Sequence, residues 1–161
     1  MDTGYLISLL QELAYFLIVF GGFLFYSLIK GRQAVINVVT GLYFALLIYL
    51  VFPYYDVFLA SAPSAHSEAI GRLVIFLVFT LLATILIARL MPEEYREKKF
   101  ESFHKKIALS LAGTVLVMIF SFHALPLTEI LTPGTPIQYL FGNPDYYFWW
   151  LLAPMVVLYW N

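Results

Sequence analysis

Four apolar stretches, each long enough to cross a bilayer as a helix and separated by short charged or turn-forming breaks, constrain this chain more than any other feature. The first runs from Tyr5 to Ile29, the second from Ala34 to Phe52, the third from Ala69 to Met91 and the fourth from Ile107 to Leu125. A crossing uses roughly 20 predominantly apolar residues, so 161 residues suit one compact bundle with short loops. With 62% hydrophobic and only 12% charged residues, the chain lacks the polar surface that a soluble domain of this size requires. The expected fold class is an all-α integral membrane protein, a single domain built as a four-helix transmembrane bundle.

The breaks carry helix-terminus chemistry. Lys30-Gly31-Arg32 ends the first helix with a glycine and places cations against its C-terminal dipole. Pro53-Tyr54-Tyr55-Asp56 ends the second and reads as an interfacial turn, with tyrosines at headgroup level. Ser67 with Glu68 offers a cap for the third. The first run has neither a basic leader nor a small-residue cleavage site before the next loop, so it is read as a retained helix and not a signal peptide.

The charges orient the bundle. Of the nine Lys and Arg residues, all but Arg72 fall in or beside the 30–33 break and the 92–106 segment. Basic residues in short loops stay cytoplasmic, which places both segments inside and the N-terminus outside. Asp2, Asp56, Glu68, Glu129 and Asp145 then lie on the opposite side.

Pro92-Glu93-Glu94 opens a different kind of helix, expected over 92–106, with proline suited to its first turn. Phe100, Phe103 and Ile107 recur at helical spacing, and Glu94 with Lys98 and Glu101 with Lys105 make i,i+4 pairs. This amphipathic helix is expected flat on the cytoplasmic surface. Arg96, Lys98, Lys99, Lys105 and Lys106 would face anionic headgroups and Phe100 and Phe103 the acyl boundary. Interleaved glutamates cancel much of its charge, so nucleic acid is not an expected partner. The aromatic segment 145–160 is short and carries Pro154 inside it. It is expected as an interfacial or re-entrant helix on the outer face, with a short fifth crossing as the alternative.

Candidate functional residues are few. Small or polar stripes run along three helices: Asn37, Gly41 and Ala45; Thr80, Thr84 and Ala88; Ser110, Gly113, Thr114, Val117 and Ser121. Such stripes let backbones approach and hydrogen-bond where lipid offers no partner; lining a polar path is the alternative. Glu12 is the strongest single residue, because a carboxylate in a hydrophobic run is costly unless paired, protonated or wet. Arg72 and His123 fall at similar depth, so the three together would form a proton-sensitive gate or an ion-coordinating vestibule. The plainer alternative leaves Glu12 in water, or pairs it with Arg72 for structure. With no cysteine, thiolate nucleophiles and disulfides are excluded. His66, His104 and His123 are too dispersed to hold a metal or haem jointly. No cofactor is expected, and no catalytic motif stands in the sequence.

Ser27-Leu28-Ile29-Lys30-Gly31-Arg32, then Asn37-Val38-Val39-Thr40-Gly41 and the aromatic end at Tyr54-Tyr55, resemble the colicin V production protein family over about residues 5 to 125. In that family a first helix ends in a basic-glycine turn and a second in aromatics, followed by a third helix, a charged cytoplasmic segment and a fourth. Its glycine-rich entry to the last helix is reduced here to Gly113. The resemblance implies a non-enzymatic inner-membrane protein linked to toxin export or envelope homeostasis. The function expected is an envelope scaffold or channel-like component, homo-oligomeric or joined to another membrane protein. The alternative is a small ion- or proton-coupled channel or transporter subunit using Glu12, Arg72 and His123.

Overall fold

The computed structural model of the chain describes residues 3–60, 62, 64–91, 103–124 and 136–160, and every regular element among them is an α-helix. In chain order these are α1 (Thr3–Lys30), α2 (Arg32–Val51), α3 (Tyr55–Leu59), α4 (Ala65–Leu90), α5 (Phe103–His123), α6 (Pro136–Gly142) and α7 (Pro144–Trp160). Four of them, α1, α2, α4 and α5, are long and apolar enough to cross a membrane.

The turn between α1 and α2 is a single residue. Gly31 adopts φ 88°, a conformation L side chains rarely take, and its N–H donates to the Ser27 carbonyl at 3.0 Å. At the other end of α2 the interfacial turn winds into the short α3. The cap of α4 lies three residues upstream of the Ser67–Glu68 position expected. Ser64 is the N-cap and exchanges hydrogen bonds with Ser67 in a reciprocal capping box. Serine at N3 does the work of the usual glutamate, which is why the signal was misplaced.

Helix α5 is the axis of the bundle, touching α1, α2, α6 and α7. Tyr15 meets Ser121 and Phe23 meets Gly113, so moving up α1 by two turns moves down α5 by the same amount and the pair is antiparallel. Leu109, Leu116, Met118, Ile119 and Phe120 fill the centre with almost no exposure. Phe120 sits edge-on to both Tyr43 and Phe76, which ties α2 and α4 to the same ring. Helix α4 packs chiefly on α2 and α3, and most of its surface is open.

That open surface is largely apolar. Leu17, Ile18 and Phe25 on α1, Leu47 and Leu50 on α2, and Leu77, Leu81 and Leu82 on α4 all face outward. An apolar belt on several adjacent helices is the surface a bilayer covers, and helices satisfy their own backbone groups there.

Two expectations are corrected by the packing. Residues 103–106, assigned to a separate surface helix, are the first turn of α5; the rest of that segment, with Arg96, Lys98, Lys99 and Phe100, lies outside the described residues, as does Leu125. The C-terminal helix does not lie flat across the end of the bundle. It begins beside His123 and packs lengthwise on α5, with Pro154 fully buried. Proline removes one ladder bond and loosens the turn before it. The Tyr43 hydroxyl donates to the Leu151 carbonyl, which ties α7 to α2 beside the turn that Pro154 interrupts.

Close approach depends on two glycines. A methyl group added at Gly41 would lie 3.0 Å from the Thr84 backbone nitrogen, and one at Gly113 would lie 2.8 Å from the Phe23 ring. Gly21 and Gly22 face outward, and a methyl group added at either would meet nothing within 4 Å. Gly41→Ala is therefore expected to destabilise the protein by roughly 1–3 kcal/mol through overpacking. Gly21→Ala should be neutral or stabilising, since it removes a helix penalty of about 1 kcal/mol. Reversible denaturation of both variants in detergent micelles checks the difference.

Candidate functional site

A set of polar side chains gathers at the end where α5 finishes, around the short helix α6. Seven residues are too few for a helix to persist alone, and its end groups need partners. Three long helices supply them. From α1, the Glu12 carboxylate accepts the backbone N–H of Gln138 in the first turn of α6. From α5, His123 Nε2 lies 2.8 Å from the Phe141 carbonyl; since a carbonyl only accepts, this nitrogen carries the proton. From α7, the Trp150 indole N–H donates to the Leu140 carbonyl at 2.9 Å. Stacking completes the site: Tyr147 lies 4.4 Å from the His123 ring and Trp150 lies 4.9 Å from Phe141.

Glu12 is only 4% exposed, so it is not the wet residue of the plainer alternative. It stands 18 residues before Lys30, about 27 Å along the helix, close to the thickness of a hydrocarbon core. Its carboxyl group stands at the N-terminal end of α6. One turn further along α1, the Tyr15 hydroxyl and Ser121 Oγ are 3.0 Å apart.

Glu12 and His123 thus meet on the same short helix, whereas Arg72 belongs to a different neighbourhood. Its guanidinium donates twice to Glu68 Oε1, at 3.1 and 2.9 Å, and lies 5.2 Å over the Tyr55 ring. Both charged groups of that i,i+4 pair are more than a third exposed, so it adds little stability. The aromatic residues around it are the firmer part. Phe52 packs on Tyr54, Tyr55 and Phe79, and the Tyr55 hydroxyl donates to the Tyr49 carbonyl at 2.8 Å.

The stripes sort by what they touch. Asn37, Gly41 and Ala45 are all buried on α2, with Asn37 Oδ1 accepting from Gln33 at 3.1 Å. On α4 the inward face is Phe76, Thr80, Ala83, Thr84 and Ile87; Ala88, one residue off that face, is exposed. On α5, Ser110 donates to the Lys106 carbonyl, Thr114 to the Ser110 carbonyl and Ser121 to the Val117 carbonyl, each at 2.7 Å. Among the described residues no group of three or more His, Asp or Glu could hold a metal. Lys105 and Lys106 are half-buried in the first turn of α5, and Phe103 beside them is exposed.

The role of α6 escapes a reading of the sequence because Glu12 and Gln138 are distant in the chain. The nearest signal is local: Pro136 opens α6, Gly142 closes it, and Asn143-Pro144 caps α7, where Asn143 Oδ1 accepts the Asp145 N–H at 3.0 Å. No protein-family model matches the chain, and neither a curated protein nor a solved structure matches it.

Burial pushes the Tyr55 phenol from its ordinary 10.0 up to about 12, with Tyr49 adding to the effect and Arg72 opposing it. The folded chain therefore prefers the neutral phenol. The stability this contributes is fully present below pH 10 and is lost as the pH rises through about 12. A phenolate absorbance titration should lose a component with a midpoint near 12 on Tyr55→Phe; losing one near the ordinary value instead would contradict the buried donor.

Proposed function

We propose that the protein is a non-enzymatic scaffold of a bacterial inner membrane, of the envelope-homeostasis or export-related kind that the resemblance to the colicin V production family implies. The observation that carries this reading is the closed polar stripe of α5. Ser110, Thr114 and Ser121 are 0–1% exposed and spend their hydroxyl protons on carbonyls one turn back. A conducting stripe needs such groups turned toward water; these are turned toward their own backbone. The separation of Arg72 from Glu12 and His123 favours the same reading, since a gate built on all three would need them together.

In this account the N-terminus lies outside and the 30–33 and 92–106 segments lie in the cytoplasm. Lys30, Arg32, Arg89, Lys105 and Lys106 then stand beside anionic headgroups on one side, while Asp56, Glu68 and Asp145 lie on the other. The apolar faces of α1 and α4 meet lipid and leave room for a second copy or another membrane protein.

Proteoliposomes separate this scaffold from a conducting subunit. Vesicles carrying the wild type or Glu12→Gln are expected to stay tight to protons, monovalent cations and small osmolytes between about pH 5 and 8, the range in which histidine switches. Flux above that of protein-free vesicles, altered by Glu12→Gln, would replace the scaffold with a channel.

A further inference from the structure

Helix α6 is held in a way that sets it apart from every other element of the bundle. Its neighbours grip it by side chain to backbone from three directions: Glu12 of α1 at Gln138, His123 of α5 at Phe141 and Trp150 of α7 at Leu140. Its apolar hold is small by comparison. Phe141 is 5% exposed, Ile137 is half-buried, and Tyr139 and Leu140 face outward. A seven-residue helix has little cooperative stability of its own, so it exists as a helix only while docked. Elements with few buried apolar contacts open at a free energy below that of the whole fold.

The helices beneath it depend on one another more than on α6. Tyr15 and Ser121 hold α1 to α5, Phe23 seats on Gly113, and Phe120 joins α2 and α4, none of which involves α6. We propose that α6 is a separable strap over the Glu12 end of the bundle, latched by Glu12, His123 and Trp150, and that its release uncovers the aromatic seam of His123, Tyr147 and Trp150 without unpacking the long helices. Glu12 is the principal latch. Its loss leaves the Gln138 N–H without its acceptor. The inference does not rest on the scaffold reading, because a strap of this kind suits a channel equally.

The absence of cysteine makes the test direct, since two introduced cysteines become the only labelling sites. Spin labels at Leu17→Cys and Tyr139→Cys, both exposed positions, report the distance from α1 to the strap by pulsed dipolar spectroscopy. Labels at Leu17→Cys and Leu111→Cys report the bundle beneath. The wild type should give one narrow distribution for each pair. Glu12→Ala should add a longer, broad population to the strap pair alone, raising its share roughly tenfold, as expected for losing one buried hydrogen bond. Glu12→Gln, which keeps an acceptor, should raise it less, and His123→Phe provides a second release if Glu12→Ala does not fold. An unchanged strap distance in these variants, or equal broadening of the Leu17–Leu111 pair, would overturn the proposal.

Discussion

The packing of α5 against α1, α2 and α7 is the contact on which the rest of the bundle depends. A helix surrounded by other helices has no water for its polar side chains, and in a bilayer lipid would supply no hydrophobic drive to press helices together. Close fit and internal satisfaction must do both jobs. Gly113 lets the Phe23 ring rest on the α5 backbone, and three α5 hydroxyls donate to carbonyls of the preceding turn. The polar residues that make α5 look like a pathway are thus the ones that let it be buried.

The other elements arrange themselves by their distance from this axis. Helix α2 touches α5 and carries α4 on its far side through the Gly41–Thr84 approach, so α4 presents a broad apolar face outward. Helix α7 packs on α5 with Pro154 buried, and Tyr43 of α2 ties it to a second neighbour at Leu151. Helix α6 lies at the end of the axis and is held by side chains that each long neighbour contributes. Ionisable groups accordingly appear at the ends, while the middle is closed by hydroxyls and aromatic rings.

Much of the bundle was legible in the chain because each signal was local. Runs of about 20 apolar residues mark the four long helices, which have the length a crossing needs, and Gly31 between two cations marks the sharp turn between α1 and α2. Elements whose placement rests on distant contacts were harder. The aromatic C-terminal helix reads as interfacial by composition, yet it packs along α5, where Tyr147 meets His123, and the Tyr43 hydroxyl of α2, 108 residues away in the chain, donates to its Leu151 carbonyl. The candidate site divided in the same manner. Glu12 stood out as a costly carboxylate and His123 as a helix-end histidine, but depth alone grouped Arg72 with them, and depth says nothing about which side of the bundle a residue occupies. The i,i+4 pairing of Arg72 with Glu68 was the local signal that assigned it elsewhere.

The hydroxyls of the α5 stripe are buried and closed on their own backbone. The most direct measurement is the reaction of single cysteines at Ser110, Thr114, Val117 and Ser121 with a small aqueous thiol reagent in intact membranes, in a chain that has no other cysteine. The account predicts that none of the four reacts until the membrane protein is denatured. Reaction at successive positions along the stripe would mean that water follows α5 through the bundle, and would contradict it.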